Sequence, residues 1–429
     1  MNMPDGLPRR DFLKTSAVAA ALSAPAILKA QNANEGLNIG WIGVGTRGYA
    51  GLSWLHTAEP NGAVVTAICD TYTGHLARAK DRIQTMYGIT PKTYNDYREL
   101  LADKSIDAVF IMTPEHLHHD MTIAALRAGK NVYIEKPLAH TIEEGFDIVR
   151  EWKKSGKIVQ VGTQNRSSSL YKKAKEMVEQ GMIGDIHYVR AFWYRNSPPN
   201  DPAWRYVVPP EANPENTDWP KFLGTAPQRD WDPHRYFQWR LYWDYSGGIS
   251  TDLLVHQTDI VNFVLGKTVP ATCMASGGIY RWSEATDDRD VPDTLSAIYE
   301  YPDKFHINYS CYFGNVHYGY GEQFCGNDGT IEVLNRQDLN FYPEKYRNAE
   351  SAIASRPEIH LNGLKDFQEQ DGAINHFRNF IEAVRGQGTI VAPPTAGQEA
   401  AISGHIATLS FKHGKKVIWD NKAEKYQFV

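Results

Sequence analysis

The chain has 429 residues, 42% of them hydrophobic and 22% charged, with a formal net charge of -5. That length exceeds one ordinary core and implies two domains, and the acidic balance argues against nucleic acid as a partner. Four cysteines, Cys69, Cys273, Cys311 and Cys325, are scattered without CxxC or zinc spacing, so neither a disulfide framework nor a metal site is expected.

In chain order, the first element reads as an export signal. Arg9-Arg10 precede Asp11-Phe12-Leu13-Lys14, and Ala17 to Leu28 form an apolar, Ala-rich run before Gln31-Asn32. A bilayer span needs about 20 apolar residues, so residues 1–33 are expected to be a twin-arginine signal and linker, with no membrane span. Ala24-Pro25-Ala26 and the stretch from Leu28 to Ala33 are both candidate cleavage points. Residues 1–30 carry four basic and two acidic side chains, so their removal takes the charge from -5 to -7. The expected location is periplasmic or extracellular.

Leu37 to Val44 reads as a buried parallel strand. Gly43-Val44-Gly45-Thr46-Arg47-Gly48 follows it as a GxGxxG turn and opens a helix to about Ala58. Glycine is needed there because the backbone must turn sharply and approach a pyrophosphate, leaving helix N–H groups aimed at the anion. A second strand, Ala63 to Cys69, ends in Asp70, 22 residues beyond Gly48, where an acidic side chain takes the adenosine ribose hydroxyls. A carboxylate at that point repels a 2′-phosphate, and no basic residue follows before His75 and Arg78, so NAD is expected in preference to NADP. Ile106 to Met112, a helix from Met121 to Ala128 closed by Gly129, and the strand Asn131 to Ile134 continue a doubly wound α/β pattern. Thr113-Pro114 stand at the carboxyl edge of that sheet, where ligands of such folds collect. His116, His118 and His119 near a helix start lack a partnering Cys or acidic cluster, so no metal is assigned to them.

Beyond this lie short alternating runs, Ile186–Trp193, Thr272–Tyr280, Thr294–Tyr301, His306–Phe313 and Thr330–Leu334, which read as strands of one sheet. Phe192 to Tyr245 is rich in aromatics, with Trp193, Trp204, Trp219, Trp231, Trp239 and Trp243 set among polar groups. Aromatic faces suit the C–H faces of pyranose rings, which points to a carbohydrate. Any single one of these tryptophans reads more readily as packing in a long loop or a subunit contact. Asp252 and His256, four apart on an expected helix, project from one face. Asn335 to Asp371 is polar and without clear periodicity, an excursion or an oligomer arm.

The stretch TPEHLHHDMTIAALRAGKNVYIEKPLAHT, Thr113 to Thr141, resembles the signature of the glucose-fructose oxidoreductase, inositol dehydrogenase and MocA (Gfo/Idh/MocA) family, as do VGTQNRSS, Val161 to Ser168, and GGISTDLLVHQTDIVNFVLG, Gly247 to Gly266. The resemblance implies α/β architecture: an NAD-binding Rossmann domain over 36–166, then a substrate-binding and oligomerisation domain over 167–429 with a large, mostly antiparallel sheet. It also implies a homo-oligomer, dimer or tetramer. By the same resemblance Lys136, in Glu135-Lys136-Pro137, holds the substrate hydroxyl, since a cation beside a carbinol stabilises the oxyanion character that develops as hydride departs. His256 is the expected general base, because imidazole titrates near neutrality, and Asp252 orients the substrate or the imidazole. His118 stands at the family's usual histidine position and is expected to line the cofactor site with Thr113, Pro114, Glu135 and Lys136. Asn165 and Arg166 are expected near cofactor or substrate.

Export and a dinucleotide combine awkwardly, because outside the cytoplasm there is no pool from which to replace spent cofactor. Twin-arginine export carries folded proteins, so NAD would travel inside, bound at nanomolar affinity or tighter, about -12 kcal/mol. The sequence thus suggests an exported NAD-dependent oxidoreductase acting on a sugar carbinol. Two alternatives stay open. One is an NAD-dependent glycosidase working by transient oxidation, elimination, hydration and re-reduction, although the family's glycosidase group departs from the Glu-Lys-Pro lysine. The other is a non-catalytic sugar or NAD binder.

Overall fold

The computed structural model describes residues 36–282, 287–345 and 356–429; the expected export signal over residues 1–33 lies outside them. Six strands build the first sheet: β1 (Leu37–Ile42), β2 (Ala63–Cys69), β3 (Lys92–Tyr94), β4 (Ala108–Ile111), β5 (Asn131–Ile134) and β6 (Val159–Val161). All neighbours are parallel, in the order β3-β2-β1-β4-β5-β6. Parallel strands carry helices on both faces, which is why β4 (AVFI) is apolar and buried at every position. The order reverses between β1 and β4, and a crevice opens there at the strands' carboxyl ends.

One face of this sheet is covered by helix Thr46–Ala58 and by a helix from far along the chain, Gly372–Val384. Trp41 stacks on Phe110 at 4.6 Å and Phe110 on Tyr133 at 4.9 Å; Phe377 and Phe380 meet these rings edge-on. The sequence division at Arg166 did not foresee this return. The other face packs on helices His118–Arg127 and Ile142–Ser155. The latter starts with a reciprocal cap between Thr141 and Glu144 and stops at Gly156, which adopts a left-handed conformation at φ 64°.

The second sheet has ten strands: β7 (Ile186–Tyr194), β8 (Thr272–Gly278), β9 (Thr294–Glu300), β10 (His306–Tyr312), β11 (Tyr320–Gly326), β12 (Gly329–Leu334), β13 (Asp338–Pro343), β14 (Ile359–Asn362), β15 (Val417–Asp420) and β16 (Lys425–Phe428). Their order is β14-β13-β12-β11-β7-β10-β9-β8-β15-β16, antiparallel except where β7 and β10 run parallel at the centre. Alternation sorts its faces. In β9, Leu295, Ala297 and Tyr299 are buried in the core that also takes in helices Val255–Leu265 and Pro394–His413, while Ile298 stays 44% exposed on the opposite face. The segment Asn335 to Asp371, expected as an excursion or an oligomer arm without clear periodicity, supplies two strands, β13 and β14, and the helix Gly363–Phe367. Leu339 and Phe341 alternate into the core of β13.

Among the described residues no helix is long and apolar enough to cross a membrane, and no cluster of three or more His, Cys, Asp or Glu is arranged to hold a metal ion.

Candidate active site

A cleft of about 1000 Å³ runs from the glycine turn of the first sheet to Trp193 on the second. Its cofactor half begins with Gly43, Gly45, Thr46 and Arg47. Gly43 has φ 87°, and a Cβ on it would lie 2.8 Å from Met112 O. Gly48 does not line the cleft. Its part is steric, because a Cβ there would collide with Gly43 O as the helix packs back on the turn. Helix Thr46–Ala58 has no side-chain cap and no acidic residue in its first turn, so its leading N–H groups face the cleft without a competing carboxylate.

Asp70 ends β2 beside this turn. Its carboxylate accepts Val44 N–H at 2.8 Å, Tyr72 N–H at 3.0 Å and the Tyr236 hydroxyl at 3.1 Å, with His75 Nδ1 at 3.3 Å. Burial alone would raise its pKa, but His75 and the backbone donors outweigh burial and hold it below the usual carboxylate range. Tyr236 comes from the aromatic segment after β7, which crosses back onto the first domain. Asp218 N–H donates to Thr71 O at 2.7 Å, Thr73 N–H to Asn216 O at 3.0 Å, and Phe237 packs edge-on against Tyr72 and His75. Glycine turn, uncapped helix end, ionised Asp70 and this aromatic clasp together fit an adenine dinucleotide.

Farther in, Thr113, Pro114 and Glu135 line the wall. Arg47 Nε donates to Glu135 Oε1 at 2.9 Å, and its guanidinium lies 4.4 Å from the Trp54 ring, so both side chains are pinned. His118 was expected at the cofactor; the structure places it behind the wall. Its Nδ1 lies 2.8 Å from Pro137 O and its Nε2 3.0 Å from Thr113 O, and burial takes its pKa down to about 4. It joins the two loops that carry Thr113 and Lys136.

The substrate half centres on Asp252. Lys136 Nζ donates to Asp252 O at 2.6 Å and Asp252 Oδ1 at 2.9 Å, and Arg240 Nε donates to the same Oδ1 at 3.1 Å. Burial opposes ionisation of Asp252, yet Lys136 and Arg240 overcome it and hold the carboxyl far below its ordinary range. Asp252 sits on a widened π-helical turn, Ser250–Leu254, which runs into the α-helix Val255–Leu265 carrying His256. His256 is buried with Nδ1 unpartnered. Burial first, then the nearby Lys136 and Arg336 charges, push its pKa well below 6.5, so the imidazole rests neutral.

Asn165 and Arg166 fall outside the cleft lining; Gln164 of the same turn lines it instead. Arg166 Nε is spent on Asp259, at 2.8 and 3.0 Å from its two oxygens, a buried tie between the 3₁₀ turn Gln164–Ser167 and helix Val255–Leu265. Of the six tryptophans from 193 to 243, Trp193, Trp204 and Trp239 line the cleft. Trp219 stacks on Phe222, and Trp243 lies under the Lys412 ammonium.

Sequence reasoning missed Arg240, and it missed Glu115 within the Thr-Pro-Glu-His stretch. Glu115 Oε1 accepts Gly247 N–H at 2.9 Å and the Thr251 hydroxyl at 3.1 Å, and burial raises its pKa to about 7. It ties the Thr113 loop to the turn that presents Asp252.

The glycine turn and the six-stranded sheet coincide with residues 37–163, which match the model of an oxidoreductase family with an NAD-binding Rossmann fold (GFO_IDH_MocA); residues 225–418 match that family's C-terminal alpha/beta domain. The chain belongs to this oxidoreductase family. Gfo/Idh/MocA relatives include an inositol 2-dehydrogenase of Salmonella paratyphi B, 35% identical over 38% of this chain and 47% of that protein. A glycosyl hydrolase family 109 protein of Shewanella sp. strain ANA-3 is 33% identical over 42% of this chain and 44% of its own. The chain thus matches about half the length of these curated relatives. Among solved structures, a levoglucosan dehydrogenase in complex with NADH and levoglucosan superposes with a TM-score of 0.68 at 19% identity, covering 92% of this chain and all of that one, which shows a common fold.

Proposed function

We propose that the protein is an exported, NAD-dependent oxidoreductase that oxidises a carbinol of a sugar or sugar derivative and keeps its cofactor through turnover, a second carbonyl compound taking the hydride back. The supporting observation is the Lys136 ammonium locked on Asp252 beside a neutral His256, across the cleft from the glycine turn.

Bound NAD supplies the hydride acceptor. An ammonium has three N–H donors, and two of those on Lys136 are committed to Asp252 O and Oδ1. The third is left for a substrate hydroxyl oxygen, where its charge stabilises the alkoxide character of the transition state. Because Oδ1 of Asp252 takes both cations, Oδ2 is the oxygen that can accept from a neighbouring sugar hydroxyl and orient the ring. His256, neutral at rest, takes the hydroxyl proton. Burial, then Lys136 and Arg336, disfavour its protonated form, so it gives the proton to the oxygen of the second carbonyl compound as that compound takes the hydride back, and the base is restored. Trp239, half-buried in the cleft wall, offers aromatic surface for the sugar's C–H groups. The clasp of Tyr236 and Phe237 over the adenosine end slows cofactor loss, as an exported enzyme requires. The outer face of the ten-stranded sheet leaves Met274 42%, Ile298 44% and Tyr312 37% exposed and is the surface proposed for self-association.

Protein recovered from the exported fraction should release NAD on denaturation and gain reduced-nicotinamide absorbance with sugars. A form with Arg9 and Arg10 both replaced by Lys should stay inside the cell. The glycosidase reading draws support from the family 109 relative. Cleavage of an aryl glycoside without net cofactor reduction would establish it, and sugar binding with neither activity would leave a binder.

A further inference from the structure

The substrate half of the cleft is electrically unbalanced. Four cations line it, Lys136, Arg195, Arg240 and Arg336, and Asp252 stands between two of them. Arg195 and Arg336 have no carboxylate within ion-pair distance among the described residues. Both instead lie against Trp193, each with its guanidinium carbon 5.2 Å from the ring centroid, and Arg336 also lies 5.3 Å from the ring of Tyr320, which stacks on Trp193. Nε and Nη2 of Arg336, the pair that shares one edge of the guanidinium plane, are buried without an acceptor among the described residues.

Other carboxyls near the cleft do not offset this charge. Glu322, in the field of Arg336, receives the Tyr171 hydroxyl at 2.7 Å, and burial raises its pKa to about 8, so it is largely protonated at neutral pH. Glu135 is committed to Arg47, and Glu211 receives the Tyr72 hydroxyl at the cofactor end. Two guanidiniums beside one indole repel each other, and the buried donors of one of them are unsatisfied. Such an arrangement is stabilised by an anion that accepts from them. A guanidinium edge matches the two oxygens of a carboxylate.

We propose that the substrate is an acidic sugar, a pyranose bearing a carboxylate that Arg195 and Arg336 hold beside Trp193 while its carbinol meets Lys136 and His256. The proposal rests on the oxidoreductase reading and narrows its substrate.

The test uses the NAD-loaded protein and matched sets of hexoses, hexuronic acids and hexose 6-phosphates in gluco, galacto and manno configuration, read by calorimetric binding and by reduced-nicotinamide absorbance. The acid of the preferred configuration should bind about 10- to 100-fold tighter than its neutral partner. Arg336→Met and Arg195→Met should each erase most of that preference while the protein still retains NAD, and Arg336→Lys should restore part of it. Neutral hexoses bound as well as their acids, or a preference untouched by these substitutions, would overturn the acidic-sugar assignment even with turnover intact. Preference for the phosphates would overturn the carboxylate. Acids bound tightly without nicotinamide reduction would sustain the anion site and sink the dehydrogenase. If no set is bound or oxidised, both fall.

Discussion

The two halves of the cleft are built on opposite plans. In the cofactor half, Asp70 already has protein donors on its carboxylate and Arg47 is paired with Glu135. Its walls come from consecutive βα turns of one sheet, closed by the aromatic segment that carries Tyr236 and Phe237. In the substrate half, Lys136, Trp193, Arg240, Arg336 and the pair Asp252 and His256 arrive from five separate stretches, and some of their donors have no acceptor among the described residues. A site finished by its own protein suits one unvarying ligand. A site left chemically open is completed by whatever substrate the loops select.

That contrast can be broken from either side. The largest expected effect is in the substrate half: His256→Ala should lower kcat by about 10² to 10⁴ while NAD stays bound. Because its pKa lies well below 6.5, the neutral imidazole persists as pH falls, so the wild-type acid limb of kcat should lie below the ordinary histidine range of about 6.5. A limb at or above that range would remove His256 as the base. Lys136→Met should cost about 10² to 10³ in kcat, again with cofactor retained, and near-normal rates in steady-state assays would end its assignment.

In the cofactor half, Tyr236→Phe removes one donor to an ionised carboxylate and opens the clasp. NAD dissociation followed by gel filtration should quicken about tenfold with kcat little changed; unaltered retention would detach the aromatic segment from cofactor holding. The smallest effect belongs to Glu115, which bridges the halves. Its folded pKa of about 7 is above the ordinary glutamate value, so the folded state binds the proton more tightly than the unfolded chain. Its contribution to stability is therefore present at acid pH and falls as pH rises toward and through about 7. Glu115→Gln keeps an oxygen for Gly247 and Thr251 and should flatten the thermal midpoint over that window, by calorimetry; an unchanged slope would refute the raised pKa.

The same contrast governs what could be read from sequence. The glycine turn, Asp70 and the six-stranded sheet were legible because local periodicity and local spacing encode them. The buried alternation of β7 to β10 was legible for the same reason. β13 and β14 were not, since Leu339 and Phe341 are embedded among Asn, Gln and Asp and gain their burial from β12 alongside. Arg195, Arg240 and Arg336 look like solvent-facing charges in one dimension. Only the fold brings them to one wall. His118 and Arg166 fail in the reverse sense: their motif positions suggested ligand contact, yet their polar atoms are consumed by Pro137, Thr113 and Asp259.

Phe377 and Phe380, laid over Phe110 and Tyr133, set the timing of biosynthesis. The nucleotide domain lacks one of its covering helices until translation has passed Val384, so its sheet is closed only late in synthesis. Chains truncated before Gly372 should therefore emerge unable to retain NAD, even though every residue of the glycine turn has been made.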